Sequence, residues 1–242
     1  PLMPSGAEVY SIHRGLMTFA TQSHPNPSAS IQSAYIELHF PAQGHTWCAD
    51  QNYRLLGAMA KEHPSLHQLE GLAINTISGI PDKQGKIQLT EASRLSLRCP
   101  SESLLTVLPL AGKTLKIGAD SISLGYPEVR PLRPVSELKA RLVAIKHPSG
   151  NFNEVTPDWF LGACDRQLKA LGIDAPVGIP ANEDGEPDRK TLKIKGKTVV
   201  GYSVVVANLL PEQSLILQTR GIGGKRRMGC GYFVPYYLNI GE

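Results

Sequence analysis

The chain spells out one order of elements twice, strand, helix, strand, strand, helix, strand, and few folds accept that order in tandem. In the first half, Ala34 to Phe40 alternates apolar and polar residues, as a half-buried strand does. Asp50 can cap a helix from about Gln51 to Glu62, where Tyr53, Leu56 and Ala60 share a face and Pro64 forces a stop. Leu72 to Ile77 alternates again, a turn at Gly79, Pro81, Asp82 and Gly85 follows, and Lys86 to Arg98 reads as one long strand. Ser101 starts a short helix through Leu108, and Lys113 to Tyr126 is strand-like.

The second half repeats this. Leu138 to Lys146 is a strand, and Thr156-Pro157-Asp158 opens a helix running to Gly172, with proline suited to the first turn. A polar loop separates Val177 from a strand region over Thr191 to Leu209. Pro211 and Glu212 open a short helix, and the last strand runs from about Gly231 to Leu238. The predicted fold is therefore α+β, a tandem pair of ferredoxin-like βαββαβ units. Its divisions are an irregular arm over residues 1–32, a first domain over 33–130 and a second over 131–242. The pattern is interrupted where Pro127, Pro131 and Pro134 cluster.

With 242 residues and 41% hydrophobic content, two such units can each bury a core. The net charge of +4 hints at an anionic partner, and the placement of the cations matters more than their sum. Cys48, Cys99, Cys164 and Cys230 are scattered with no metal-ligand spacing, so no metal site and no cofactor is expected, and reduced thiols fit a cytoplasmic setting. No apolar run reaches the length of a membrane span, and residues 1–30 lack the apolar core of a signal peptide.

The densest chemistry lies in Gly221 to Pro235, "GIGGKRRMGCGYFVP". It is no Walker loop, because Arg226 follows Lys225 where Ser or Thr belongs, and no dinucleotide fingerprint, because Arg226 stands where the third glycine belongs. Both motifs also need a helix after the loop, whose positive end meets phosphate. Here a helix precedes it and presents its negative end. Lys225, Arg226 and Arg227 must then supply the charge, while glycines such as Gly223 and Gly224 let backbone approach a bulky polyanion. RNA on a ferredoxin-like sheet has a precedent in the RRM, although the aromatic pair of that module is not clear here.

This glycine-rich run resembles the C-terminal signature of the CRISPR repeat-RNA processing endoribonucleases of the RAMP superfamily, in the branch found in type I systems. "ADQNYRLLGAMAKEHPSLH" (Ala49 to His67), "SRLSLRCP" (Ser93 to Pro100), "LLTVLPLAGKTLKIG" (Leu104 to Gly118) and "LKARLVAIK" resemble other segments of that branch, over about residues 33 to 238. The resemblance implies a tandem ferredoxin-like fold and metal-independent cutting of precursor RNA at the base of a repeat stem-loop by 2′-OH attack. It also implies retention on the mature guide RNA stem-loop among other subunits of a type I effector complex. Relatives typically carry Asp-His-Gly-Tyr at the start of the first helix, where this chain has Asp50-Gln51-Asn52-Tyr53, and often His-Pro in place of Asn75-Thr76.

The candidate catalytic residues are accordingly His45, in the loop before the first helix, and Gln51, which can position or stabilise but cannot exchange a proton usefully. His67 reads as structural and His39 as a solvent-side strand residue; His13, His24, His63 and His147 carry no signal. For RNA binding, Arg94 and Arg98 lie four apart on one strand and face one side. Arg189 and Lys190 open a basic run in which Lys193, Lys195 and Lys197 are expected to share a face, like the segment of the family that grips the stem. Lys225, Arg226 and Arg227 complete the set. The alternative function is a non-catalytic subunit capping the guide's stem-loop, and a weaker one an RNA-binding protein outside CRISPR biology.

Overall fold

A computed structural model describes residues 34–82 and 84–237. The arm expected over residues 1–32, with His13 and His24, and the expected end of the last strand at Leu238 lie outside the described residues.

The first half contains, in chain order, β1 (Tyr35–Gln43), β2 (Thr46–Cys48), α1 (Asn52–Glu62), β3 (Ala73–Asn75), β4 (Ile80–Pro81), β5 (Lys86–Gln88), β6 (Arg94–Pro100), α2 (Leu104–Val107), β7 (Thr114–Ile117), β8 (Asp120–Leu124) and β9 (Glu128–Pro131). The second contains β10 (Leu138–Val143), α3 (Pro157–Ala170), β11 (Val177–Gly178), β12 (Arg189–Ile194), β13 (Lys197–Val206), α4 (Pro211–Arg220) and β14 (Phe233–Pro235). The first sheet runs β3-β6-β1-β8-β7, with β9 also on β1, and the second runs β11-β13-β10-β14, with β12 on β13. In each, the first and third strands of the unit sit side by side in the centre and the second and fourth flank them, which is the ferredoxin-like arrangement expected from the sequence.

Alternation explains which face is which. On β1, Leu38 and Phe40 are fully buried and join Leu55 and Met59 of α1 in one core, while Glu37 and His39 point to the other face. Phe160, Cys164 and Leu168 of α3 meet Val204 and Val206 of β13 in a second core. The helix start expected at Thr156 is present: its hydroxyl accepts the Trp159 N–H at 3.4 Å and Pro157 occupies the first turn.

Several expectations need correction. Asp50 does not cap α1; Gln51 occupies the cap position and offers no side-chain cap. The run Lys86 to Arg98 is two strands in two sheets, because Ser93 folds a turn between them: its hydroxyl accepts the Thr90 N–H at 2.9 Å and donates to the Ser78 carbonyl at 2.8 Å. The region Thr191 to Leu209 is a hairpin, turned at Lys195 and Gly196, both with positive φ (49° and 77°). Lys113 to Tyr126 likewise folds back at Gly118. Among the described residues no helix is long and apolar enough to cross a membrane.

Candidate functional site

The glycine loop leaves α4 at Gly221, whose N–H bonds to the Leu217 carbonyl, and lies across the end of β10: the Gly224 N–H reaches the Ala144 carbonyl at 2.9 Å and the Gly231 N–H the Leu142 carbonyl at 2.8 Å. The Gly223 N–H is held by Oε1 of Gln167 on α3. Most of these glycines admit protein backbone rather than a ligand. A Cβ at Gly221 would sit 2.3 Å from the Gly231 carbonyl oxygen, and one at Gly223 would sit 2.7 Å from that of Ala144. Gly229, at φ +76°, lies so close to Asn52 and Thr76 that a Cβ would collide with both. Gly224 alone of the loop's glycines faces open space. The expected reason for the glycines is thus corrected: they press the loop onto both halves of the molecule.

That docking places cations at the junction. Lys225 and Arg227 are exposed, and the Arg227 guanidinium donates to the His67 carbonyl just after α1. Asn52, at the positive end of α1, donates through Nδ2 to the Met228 carbonyl at 2.5 Å and accepts from Arg141 of β10 at 3.4 Å. Asn52 and Arg141 were missed in the sequence. A signal was present: Asn52 adjoins Gln51, and Arg141 holds a polar position of an alternating strand.

Other sequence-predicted residues lie elsewhere. Arg226 is turned inward, its guanidinium 3.5 Å from the Gln218 carbonyl and its Nε without a partner; burial, and then the charge of Arg98, lower its pKa to about 10. Arg98 was expected to face RNA, yet it is wholly buried. Its guanidinium pairs with Glu37 at 2.7 Å, donates to the carbonyls of Gln218 (2.6 Å) and Phe233 (3.1 Å), and lies 4.2 Å from the centre of the Tyr232 ring. Burial raises the Glu37 carboxyl, but the His39 hydrogen bond, the Arg98 charge and the Tyr232 hydroxyl outweigh it and hold the pKa at about 2. Burial also drives the Tyr232 hydroxyl upward. His39 is not a free surface residue: its ring bridges Glu37 at 3.1 Å and Ser96 at 2.9 Å.

Gln51 is 3% exposed and acts as an internal brace. Its Oε1 accepts from the Trp47 indole and the Ile77 N–H, each at 3.0 Å, and its Nε2 donates to the Ile77 carbonyl at 2.7 Å. His45 is exposed in the tight β1–β2 turn, its carbonyl bonded to the Leu89 N–H, and its neighbour Gly44 lies against the Ser121 carbonyl. Arg94 is half-buried and donates to the carbonyls of Glu91 and Ser93. Arg189 is exposed, and Lys190 pairs with Asp188 at 2.7 Å. The turn at Lys195 breaks the expected lysine face: Lys197 lies opposite Ile194, whereas Lys193 lies opposite Thr198 on the other side of the hairpin.

Arg141 beside Asn52 and the exposed Lys225 and Arg227 of the loop offer positive charge to a phosphodiester and to a phosphorane. Among the described residues no group of three or more His, Cys, Asp or Glu is placed to hold a metal ion.

Known proteins resemble this chain in sequence and in fold. The sequence profile of the family described as "Cas6 Crispr" matches residues 36–237. A curated relative, the CRISPR-associated endonuclease Cas6 of Myxococcus xanthus (strain DK1622), is 35% identical over 201 residues, spanning 83% of this chain and 81% of that protein. A solved structure titled "CRISPR associated protein Cas6" superposes with a TM-score of 0.54 at 13% identity, over 84% of this chain and 99% of that one. Another, titled "An RAMP protein binding different RNA substrates", gives 0.53 at 13% identity, over 83% and 98%. At such identities the two structures speak for the fold.

Proposed function

The chain belongs to the Cas6 family, and from that premise we propose that it cuts precursor CRISPR RNA within the repeat, at the base of a stem-loop. The carrying observation is the docked glycine loop, which bonds Met228 to Asn52 at the start of α1 and Arg227 to the His67 carbonyl beyond its end, and leaves Lys225 and Arg227 exposed. The proposed step uses the RNA's own 2′-hydroxyl, so no metal-bound water is required. A base removes the 2′-OH proton, the oxygen attacks the adjacent phosphorus, and the P–O5′ bond breaks. An acid protonates the leaving oxygen, giving a cyclic phosphate and a 5′-OH. Lys225, Arg227 and Arg141 offset the extra negative charge on the phosphorane.

His45 and His67 are the proposed proton-transfer groups, and position favours His67, because Arg227 of the loop bonds to its backbone while its side chain is exposed. Gln51 serves indirectly, by bracing the turn into α1. Arg94, Arg189, Lys190 and Lys193 extend the contact along the stem. Residues 33–130 and 131–242 act as the two gripping units, in a prokaryotic cytoplasm. After the cut the protein stays on the guide's 3′ stem-loop as a subunit of a type I effector complex.

A second reading has its own observation. Where relatives carry histidine, the Gln51 amide is engaged on both of its polar atoms, as suits a non-catalytic cap on the stem-loop. Single-turnover assays with the cognate repeat in excess EDTA separate the two. His67→Ala should slow cleavage about a hundredfold or more with unchanged affinity, and His45→Ala should do so if His45 is the group. Tight binding by the native protein without any cleavage would establish the capping role. Metal-dependent products ending in a 3′-OH would refute the proposed step.

A further inference from the structure

A cavity of about 650 Å³ adjoins the glycine loop at the C-terminal end of β10. Its rim carries Lys146, Lys197 and Lys225, all exposed and none in an ion pair among the described residues. Its wall is apolar, with Val155 and Val199. His147 completes it, and its ring is fixed: Nδ1 lies 2.7 Å from the Ser149 hydroxyl and 3.3 Å from the Glu154 carboxylate, and the ring packs against Trp159 at 4.4 Å between centroids. Glu154 is itself engaged by Ser149 and Asn151. Gly223 and Gly224 form the floor on the loop side, their N–H groups committed to Gln167 and Ala144.

A flat ring and an apolar wall on one side, with unpaired ammonium groups on the other, match a base attached to phosphate. The volume falls within the range of about 300–1,000 Å³ usual for small-ligand pockets. Acidic peptide would satisfy the lysines but leave the ring and the valines without a planar partner. We propose that this cavity takes one unpaired ribonucleotide of the bound RNA. The base lies against His147 and the valine wall, and the flanking phosphates reach Lys146 and Lys197. The assignment rests on the RNA-binding function proposed above. Lysines contact phosphate as point charges, so the pocket selects for a base and a phosphate rather than for a particular sequence.

The test uses the intact protein and two charge-matched probes, nucleoside 5′-monophosphates and inorganic phosphate, followed through tryptophan emission. Trp159 reports through His147, and Trp47 is fully buried elsewhere. The monophosphates should bind at least about fivefold tighter than phosphate, the lower end of what one stacked base contributes. Lys146→Ala/Lys197→Ala should weaken them about tenfold and lower the salt slope for repeat RNA by about two, with the cut position unchanged. Val199→Phe should fill the cavity and abolish monophosphate binding with the circular dichroism spectrum intact. Equal affinity for the two probes, or monophosphate binding untouched in both variants, would overturn the proposal even if repeat RNA is cut. Monophosphate binding without any binding or cleavage of repeat RNA would support the pocket and sink the RNA function instead.

Discussion

Replacing Arg98 by Met should weaken the whole molecule more than any single change in the exposed loop. The side chain is wholly buried, and its guanidinium ties Glu37 of β1 to carbonyls of α4 and β14. Removing one partner of such a pair strands a buried carboxylate and costs about 3–5 kcal/mol, against a total stability on the order of 5–15 kcal/mol. The depressed Glu37 carboxyl, at about 2 against 4.5, points the same way: on the order of 3 kcal/mol at about 1.36 kcal/mol per unit, shared among His39, Arg98 and Tyr232. The sign is that of a depressed carboxylate: the stabilisation is complete above pH 4.5 and is lost as pH falls through about 2. Without Arg98 one of the effects opposing burial is gone and Glu37 should protonate at higher pH, so the acid limb of the stability curve moves up. Urea unfolding of Arg98→Met, Glu37→Gln and the double variant at pH 7 measures the coupling, expected at about 2 kcal/mol or more. Additive single effects would refute the account. So would Arg98→Lys that folds normally but flattens the salt dependence of RNA binding, since the residue would then be touching phosphate.

The exposed loop cations behave oppositely: Lys225→Ala/Arg227→Ala should lower the salt slope of repeat-RNA affinity by about two with little change in stability, and an unchanged slope in a salt titration would remove the loop from the interface. Gly229→Ala combines a left-handed residue with contacts of 2.7 Å to Thr76 and 2.9 Å to Asn52. It should lower Tm by several degrees, about 2–4 °C per kcal/mol in a chain of this size, whereas Gly224→Ala should be silent; equal shifts in a thermal melt would contradict the packing described. Burial raises the thiols of Cys99 to about 11 and of Cys164 and Cys230 to about 12, while Cys48 is half-buried. A thiol reagent at pH 8 should therefore modify one cysteine quickly in the native state and the other three only on denaturation.

The sequence made the fold legible because alternation and helix-stop residues are local. It failed where contacts are not. Lys86 to Arg98 reads as one strand, yet its alternation lapses at Glu91 and Ser93, and there the Ser93 hydroxyl turns the chain from one sheet to another. Alternation placed Arg94 and Arg98 on one side of β6. Whether that side meets solvent depends on Tyr232 and Phe233, far along the chain. The glycine loop was visible as a motif, but its glycines are explained by the carbonyls of Ala144, Ile222 and Gly231 and by Asn52 and Thr76. Gln51 drew attention as a substituted catalytic position, and its amide proves to match the peptide group of Ile77. His147 carried no signal at all, because its partners Trp159 and Glu154 are recognisable only once the loop before α3 has folded.

The Arg98 link has a consequence for synthesis. The partner carbonyl at Phe233 is 135 residues downstream, and at about 5–20 residues per second a ribosome needs roughly 7–27 s to deliver it. Throughout that interval Arg98 has Glu37 beside it but not the second-half residues Gln218, Tyr232 and Phe233 that later meet its guanidinium. A nascent chain in that state has neither the loop nor the Asn52 contact, so it cannot assemble the phosphate-binding junction on any RNA it meets. Competence arrives as one late event, when the final strand docks and the arginine is enclosed.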